Sequence, residues 1–303
     1  MSAFLELTRR ARRIPAEPPL AGRCCLVTGG AGGIGWAIAV ALAQRGVTVE
    51  ICDISPAQVN RARQEAQAAF WGARITFTVV DVTRRAEVEK WIDQARQRMG
   101  RIDVLVNNAA FIRWRTVEDM TVEEAELTMA TGYHATVYTT KSVLPLMRRQ
   151  GGGHIVTMGS SAGRVYTGGA SAAYAAVKAS LEAYTETLRN ELRGSGISLT
   201  LVRPGAVCGT DFFREHVPSN ALPRMADFLP RLTPPQVADA VVKAIVHRRP
   251  KVDIPASLPV VYLLYAALPG SVRWLTSLGG AARRDYGHLP DATAEREDSD
   301  ERM

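Results

Sequence analysis

The hydrophobic positions of the chain fall into short runs that alternate with longer amphipathic stretches. The runs predict seven strands, at residues 22–28, 47–52, 74–80, 104–106, 154–158, 198–202 and 252–254. The amphipathic stretches predict helices, at residues 34–45, 55–70, 84–99, 121–149, 172–193 and 235–247. Short strands that alternate with helices are typical of βαβ units with a parallel sheet. The pattern therefore predicts an α/β fold, a single doubly wound domain with a seven-stranded parallel sheet.

The two ends of the chain depart from this alternation. Residues 1–20 carry four arginines and end in a proline-rich breaker, which predicts an N-terminal extension ahead of a domain at 21–255. Residues 256–290 are apolar, but their longest uninterrupted apolar part is shorter than the roughly 20 residues that a membrane-spanning helix needs. We expect this C-terminal extension to be buried or to cover another subunit, with peripheral membrane contact as the alternative. Residues 291–303 are charged and are expected to be disordered.

Composition narrows the classes of partner. The net charge of the 303-residue chain is +7, but its basic residues are scattered and are not interleaved with aromatics, which argues against a nucleic-acid partner. The four cysteines have neither metal-ligand spacing nor a C-x-x-C pair, so no metal site is expected. No secretory signal precedes them, and buried free thiols suit a reducing compartment. We therefore expect a cytoplasmic protein, with membrane association as the alternative.

A glycine-rich run at residues 28–35 leads from the first strand into the first helix. Glycines there permit a tight turn and the close approach of a pyrophosphate, whose charge lies at the helix N-terminus. Asp53 ends the second strand about 20 residues further on, where a carboxylate binds the ribose hydroxyls of NAD and repels the 2′-phosphate of NADP. A simple tight turn, and a cap on the following helix by Asp53, are the alternatives. NAD is the expected cofactor, and NADP is less favoured.

Tyr174 and Lys178 are four residues apart in a predicted helix, so their side chains share one face. A free tyrosine has a pKa of about 10, and lowering that pKa by three units requires about 4 kcal/mol. A nearby cation favours the phenolate, which would make Tyr174 a general acid or base. The pair alone is a weak signal, because the same spacing occurs on many helix surfaces.

Taken together, these motifs resemble those of the short-chain dehydrogenase/reductase family, whose fold is Rossmann-like. The resemblance covers about residues 20–255 and includes an Asp-Val pair at 81–82, an Asn-Asn-Ala sequence at 107–109 and a Pro-Gly turn at 204–205. In the family the Asp-Val pair contacts the adenine ring, and the Asn-Asn-Ala sequence follows the fourth strand. The Pro-Gly turn brings backbone close to the nicotinamide carboxamide. The cofactor-binding residues that the resemblance implies are Thr28, Gly29, Gly33, Ile34, Gly35, Asp53, Asp81, Val82, Asn108, Tyr174, Lys178, Pro204, Gly205 and Val207.

The resemblance also implies hydride transfer between a secondary alcohol and a nicotinamide cofactor. Tyr174 would be the acid/base, Ser160 would orient the substrate oxygen, and Lys178 would bind the nicotinamide ribose and keep the pKa of Tyr174 low. Ser161 is the alternative serine, because its spacing to Tyr174 is the one usual in the family. The apolar residues of segment 208–233 are expected to form a lid over a lipophilic alcohol or ketone, or simply to pack that lid onto the body. These apolar residues are Phe212, Phe213, Leu222, Met225, Phe228 and Leu229.

The family further implies a homodimer or homotetramer, formed through helices 121–149 and 172–193. Two departures from its pattern bear on activity. Gly132 stands where the family has an asparagine that holds a water in the proton relay to the lysine, and the neighbouring His134 is more often a structural residue. The turn after 204–205 is one residue longer than usual, which is expected to shift Thr210. The alternatives are an NADP-dependent carbonyl reductase and a catalytically weak dinucleotide-binding sensor or scaffold.

Overall fold

A parallel sheet of seven strands forms the centre of the molecule in the computed structural model, which describes residues 20–69, 71–166, 171–217, 227, 230–278 and 286–288. The strand order is β3-β2-β1-β4-β5-β6-β7, and every pairing is parallel. The strands are β1 (Cys24–Thr28), β2 (Thr48–Asp53), β3 (Ile75–Val79), β4 (Val104–Asn107), β5 (Gly153–Met158), β6 (Ile197–Pro204) and β7 (Lys251–Ile254). The predicted α/β fold and its seven parallel strands are confirmed.

Helices connect the strands and cover both faces of the sheet. They are α1 (Gly33–Gln44), α2 (Pro56–Gln67), α3 (Arg85–Met99), α4 (Val122–Met129), α5 (Ala135–Arg149), α6 (Ala172–Glu191), α7 (Asp211–His216), α8 (Pro234–Val246), α9 (Leu258–Ala267) and α10 (Pro269–Ser277). The predicted helix at 121–149 consists of α4 and α5, joined by a π-helical turn at Ala130–His134. The predicted N-terminal extension, apart from Leu20, and the tail at 291–303 lie outside the described residues.

The inner strands are buried on both faces, which is why they read as continuous apolar runs. Val27 of β1 packs on the side of α1 and α8, whereas Leu26 and Leu105 pack with Trp91 of α3 on the other side. The strand order reverses between β1 and β4. In open α/β sheets the ligand crevice lies beyond the carboxyl ends of the strands at such a switch point. The topology therefore fixes where a ligand site is to be sought.

The C-terminal helices leave an apolar surface exposed. Within the described residues no single helix is long and apolar enough to cross a membrane; α9 and α10 pass that test only as a pair, and they meet at an angle of 117°. Leu258 is the only buried residue among the side chains described for the two helices. The C-terminal apolar face consists of Val260, Leu263, Leu264, Leu268, Trp274, Leu275 and Leu278, all of which are exposed. Burial of these helices within the chain, one of the expectations above, is not what the structure shows.

A buried arginine links α9 to the sheet. Arg203 of β6 is 4% exposed, and its guanidinium donates to the carboxylate of Asp253 at 2.7 and 2.8 Å and to Glu182 at 3.0 Å. The guanidinium also lies 4.8 Å from the ring centroid of Tyr262 on α9. Arg203 thus pairs with two carboxylates that are 12% exposed, and its guanidinium also contacts the first C-terminal helix. Glu182 has a second cation, Arg164, at 2.7 Å.

Candidate active site

A cleft of about 500 Å³ opens at the carboxyl ends of β1, β4 and β5. It brings together all but two of the residues that the sequence singled out for catalysis or cofactor binding. Those that line it are Gly29, Gly33, Ile34, Asp53, Asp81, Val82, Asn108, Ser160, Ser161, Tyr174, Lys178, Pro204, Gly205 and Val207. The other two, Thr28 and Gly35, support the glycine-rich loop from behind.

The glycine-rich loop is compressed in a way that only glycine permits. Gly29 and Gly33 have φ angles of +59° and +51°, in the left-handed region that side chains disfavour. A Cβ atom on Gly35 would lie 2.1 Å from the carbonyl oxygen of Gly29. Helix α1 begins here without a side-chain cap, so its first N–H groups and its positive dipole end are free for an anion. This cradle fits the pyrophosphate of a dinucleotide.

Thr28 and Asn108 lock the loops that follow β1 and β4 together. The hydroxyl oxygen of Thr28 accepts from the backbone N–H groups of Asn108 at 3.0 Å and Ala109 at 3.1 Å. The side-chain amide of Asn108 donates in return to the carbonyl oxygens of Thr28 and Gly29. These bonds hold the glycine-rich loop in register with the neighbouring strand.

Asp53 lies at the far end of the cleft, where its carboxylate is held by backbone. It accepts from the N–H of Ala31 at 3.2 Å and from the N–H of Ser55 at 3.1 Å. Burial raises the pKa of Asp53, and these backbone hydrogen bonds act against the shift. Ser55, rather than Asp53, caps α2, by accepting from the N–H of Gln58. Among the described residues that line the cleft, Lys178 is the only lysine or arginine.

The adenine and carboxamide motifs also lie at the cleft. Asp81 accepts from the N–H of Thr83 at 2.9 Å and from its hydroxyl at 2.7 Å, which fixes the turn after β3. At the other end of the cleft, the hydroxyl of Thr210 donates to the carbonyl of Val207 at 3.3 Å. Thr210 also caps α7, accepting from the N–H of Phe213. With the longer turn, Thr210 lies in the cleft wall and also caps α7.

Ser160, Tyr174 and Lys178 meet in the middle of the cleft. Ser160 follows β5, accepts from the N–H of Ala162 at 3.1 Å and lies close enough to Tyr174 to act on the pKa of its phenol. Lys178 lies one turn beyond Tyr174 on α6; its ammonium group donates to the carbonyl oxygen of Met158 at 2.8 Å and lies 5.5 Å from the Tyr174 ring centroid. The three side chains thus come from two places in the fold: Ser160 from the segment just after β5, and Tyr174 and Lys178 from α6.

Burial, not the lysine, dominates the protonation of Tyr174 in the protein alone. Burial raises the pKa of Tyr174 to about 12, although the hydrogen bond to Ser160 acts to lower it. Burial also lowers the pKa of Lys178 to about 8. The sequence had suggested that Lys178 lowers the pKa of Tyr174, but the ammonium group lies against the ring and its hydrogen bond goes to Met158. Desolvation is therefore the larger effect on both groups.

A neighbouring helix occupies the space that an asparagine side chain at position 132 would need. Gly132 is buried in the π-helical turn, and a Cβ atom there would lie 2.5 Å from Cγ2 of Val177, the residue before Lys178. The carbonyl oxygen of Gly132 accepts from the hydroxyl of Thr136 at 2.8 Å. The ring of His134 packs against Tyr133 and Tyr138, outside the cleft lining. No side chain larger than hydrogen fits at position 132 unless Val177 moves.

Aromatic side chains enclose Tyr174. Its ring centroid lies 5.8 Å from that of Trp114 and 5.6 Å from that of Phe212. The predicted lid residues Phe212 and Phe213 line the cleft, whereas Leu222, Met225, Phe228 and Leu229 lie outside the described residues. Three further residues line the cleft although their sequence positions did not single them out: Phe111, Trp114 and His216. Phe111 and Trp114 lie in the loop after β4, and a loop after a strand that borders the switch point is the signal by which they could have been found.

Comparison with known proteins identifies the family. The short chain dehydrogenase family matches residues 23–221. The chain belongs to the short-chain dehydrogenase family. It is 30% identical over 294 residues to retinol dehydrogenase 10 of Homo sapiens, covering 88% of this chain and 84% of that protein. It is 34% identical over 188 residues to the 3-oxoacyl-[acyl-carrier-protein] reductase FabG of Thermotoga maritima, covering 62% of this chain and 75% of that protein.

Solved structures share the fold of this short-chain dehydrogenase. A short-chain dehydrogenase/reductase of Burkholderia phymatum in complex with NAD superimposes with a TM-score of 0.74 at 22% identity, covering 84% of this chain and 97% of that one. Membership of the family makes the protein an oxidoreductase that binds a nicotinamide dinucleotide and acts on small molecules.

Proposed function

We propose that this short-chain dehydrogenase is NAD-dependent and interconverts a lipophilic secondary alcohol and its ketone. The observation that carries the proposal is that Ser160, Tyr174 and Lys178 lie together in the same cleft as the uncapped N-terminus of α1. One wall of the cleft can hold a pyrophosphate while the other presents an acid/base. That arrangement suits hydride transfer, in which the cofactor performs the redox chemistry and the protein supplies placement and charge.

Each of the three residues has a role that its surroundings support. The nicotinamide cofactor, when bound, accepts or supplies the hydride. Tyr174 takes the proton from the alcohol or returns it to the ketone, and Ser160, which lines the cleft with Tyr174, holds the reacting oxygen. A pKa of about 12 keeps Tyr174 protonated and ready to donate to a ketone. Alcohol oxidation needs the phenolate, which the charge of Lys178 and of an oxidised cofactor would favour.

Direct mutation tests the role of Tyr174. We expect Tyr174→Phe to bind NAD with unchanged affinity and to lose nearly all turnover with NAD and a panel of lipophilic secondary alcohols, followed by the absorbance of the reduced nicotinamide. Tyr138→Phe, a tyrosine outside the cleft lining, is the matched control and should retain wild-type turnover. Retention of more than a few per cent of the wild-type kcat by Tyr174→Phe would remove Tyr174 from this role.

Asp53 supports NAD over NADP. Its carboxylate lies in the cleft wall, fixed by two backbone N–H groups, and no described basic residue lines the cleft near it to meet a 2′-phosphate. An NADP-dependent carbonyl reductase is the alternative. Titration with both cofactors separates the two, and Asp53→Ala should reduce the preference for NAD at least tenfold. An unchanged preference would contradict the assignment.

The lipophilic character of the substrate rests on the aromatic wall. Trp114 and Phe212 both pack against the Tyr174 ring, so an apolar substrate would contact aromatic carbon next to the reacting group. Two relatives carry names that agree with a lipophilic substrate. One refers to retinol, a lipophilic primary alcohol, and the other to a 3-oxoacyl group, which is a ketone. The common element is an apolar chain or ring that bears a hydroxyl or keto group.

A dinucleotide-binding sensor with little turnover is the second candidate. The close contact between Gly132 and Val177 favours it, because it excludes the asparagine on which the family's proton relay depends. The same turnover panel decides between the two functions. Clear NAD binding without turnover of any alcohol or ketone would favour the sensor.

We propose that the C-terminal apolar face contacts an anionic lipid surface. Arg273 is the only charged residue between positions 254 and 278, and Trp274 next to it suits a membrane interface. The net charge of +7 adds attraction to anionic lipid. We expect the protein to sediment with phosphatidylserine-containing vesicles and Leu263→Glu to abolish this. A fall in solution mass in Leu263→Glu, with no vesicle binding by the wild type, would show instead that the face joins two copies.

Oligomeric state and compartment complete the proposal. We infer a homodimer or homotetramer formed through α4, α5 and α6, to be tested by light scattering at several protein concentrations. A monomer at every concentration would contradict it. All four cysteines are buried and none is in a disulfide, which supports a reducing compartment such as the cytoplasm.

A further inference from the structure

A polar pair lies at the outer end of the aromatic wall. His216, the last residue of α7, lines the cleft, and its Nδ1 atom is 2.6 Å from a guanidinium nitrogen of Arg113. The backbone N–H of Trp114 donates to the carbonyl oxygen of His216 at 3.2 Å. The end of α7, the lid helix that lies in the predicted lid segment 208–233, is thus fixed to the loop after β4 by a side-chain hydrogen bond and a backbone hydrogen bond.

The contact with Arg113 determines which nitrogen of His216 carries the proton. A guanidinium group can only donate hydrogen bonds, so Nδ1 must accept and the proton of the neutral imidazole is on Nε2. Burial and the positive charge of Arg113 lower the pKa of His216, which keeps the ring neutral at pH 7. Nε2, on the opposite edge of the ring from Arg113, is therefore a fixed N–H donor in the wall of the cleft.

Charge at this end of the cleft favours an anion. The carboxylate of Glu124 lies 3.9 Å from the guanidinium of Arg113 and 3.5 Å from that of Arg115. The carboxylates of Asp211 and Glu215 on α7 also act on His216. Both pair with Arg214, however, and Asp211 pairs with Arg61 as well. Four guanidinium groups therefore face three carboxylates at this end of the cleft, which leaves an excess positive charge. A carboxylate acceptor would gain from both the N–H donor and this charge, whereas a neutral acceptor would gain only from the donor.

The spacing along α7 gives the length of the ligand. Phe212 and His216 are four residues apart, so they lie on one face of the helix and about 6 Å apart along its axis. Because Phe212 packs against Tyr174, His216 lies about one helical turn beyond the reacting group. We propose that the substrate is an apolar hydroxy or keto acid, whose carboxylate accepts a hydrogen bond from His216 while its hydroxyl or keto group meets Tyr174. This inference rests on the proposed function and specifies its substrate class.

Two alcohols of similar shape provide the test. 1-(4-carboxyphenyl)ethanol carries a carboxylate one ring away from the reacting carbon, and 1-(4-isopropylphenyl)ethanol carries a neutral group there. The wild-type enzyme should prefer the carboxylate alcohol. His216→Phe keeps the ring against Phe111 but removes the donor, so kcat/KM for the carboxylate alcohol should fall about ten- to hundredfold, mainly through KM. The neutral alcohol should change less than twofold.

Two further variants separate specificity from folding. His216→Gln retains an N–H donor and should recover part of the preference for the carboxylate alcohol. His247→Gln, at an exposed histidine beyond α8, should leave both alcohols unaffected. Equal losses for both alcohols in His216→Phe, or no preference in the wild type, would overturn the inference while leaving the proposed function intact.

Binding measurements keep the inference testable even if the enzyme oxidises neither alcohol. That outcome would count against the proposed function for these substrates. Calorimetric titration of the NAD-loaded protein with 4-acetylbenzoate and 4-isopropylacetophenone would then report on His216 alone. Tighter binding of 4-acetylbenzoate that His216→Phe removes supports the carboxylate site, and equal affinities in the wild type overturn it.

Discussion

The contact between Gly132 and Val177 yields the sharpest prediction for stability. Gly132→Ala would place a Cβ atom 2.5 Å from Cγ2 of Val177, well inside van der Waals contact. Both positions are buried, with Val177 only 2% exposed, so neither side has free space to absorb the atom. Overpacking of this kind costs about 1–3 kcal/mol, whereas alanine is favoured over glycine in a helix by about 1 kcal/mol. We expect Gly132→Ala to lower the free energy of unfolding by up to about 2 kcal/mol.

A double-mutant cycle isolates the cause. Val177→Ala alone should cost about 2 kcal/mol, because it removes two buried methyl groups. In the Val177→Ala background the clash is gone, so Gly132→Ala should be neutral or stabilising by up to about 1 kcal/mol. The coupling energy between the two positions is then about 1–3 kcal/mol. Urea denaturation of the four proteins, followed by circular dichroism, measures it. The same loss for Gly132→Ala in both backgrounds would refute the explanation, because it would show that Val177 is not what position 132 meets.

Two further predictions concern buried charge. Arg203→Leu leaves the carboxylate of Asp253, which is 12% exposed, without its cation, whereas Glu182 keeps Arg164 at 2.7 Å. We expect the free energy of unfolding in urea denaturation to fall by about 3 kcal/mol, and a loss below about 1 kcal/mol would contradict the role assigned to Arg203. Burial lowers the pKa of His154, which is 3% exposed, to about 4, so its contribution to stability is complete above about pH 6.5 and is lost as the pH falls towards 4, by about 3 kcal/mol. The free energy of unfolding of His154→Phe should therefore fall less than that of the wild type between about pH 6.5 and pH 4. Equal losses in the two proteins would contradict the lowered pKa of His154.

Features that depend on local sequence were predictable. The inner strands were visible as short apolar runs because both faces of the sheet are covered there, and the glycine-rich loop was visible because Gly29 and Gly33 adopt φ angles that other residues avoid. The pairing of Tyr174 with Lys178 followed from helical spacing alone. Each of these signals depends only on residues that are close together in the sequence, so it can be recognised without knowledge of the fold.

Features that depend on contacts between distant segments were not predictable. The position of Trp114 and His216 beside Tyr174 requires the loop after β4 to meet the lid helix, about 100 residues later in the chain. The direction of the pKa shift of Tyr174 depends on how deeply α6 is buried, which spacing does not reveal. The sequence singled out Ser160, Tyr174 and Lys178 as candidates, and the packing of helices and strands determines the environment of each.

The anchoring of Lys178 gives a physical account of how activity could survive without the asparagine. Its ammonium group is bonded to the carbonyl oxygen of Met158, at the end of a central strand, and not to the helix that carries Gly132. That strand is held on both sides by neighbours in the sheet, so the carbonyl is a rigid acceptor. The position of Lys178 beneath Tyr174 is therefore set by β5 and α6, independently of residue 132. Loss of the asparagine would then slow proton exchange with solvent without moving the catalytic groups, a defect expected in turnover and not in NAD binding.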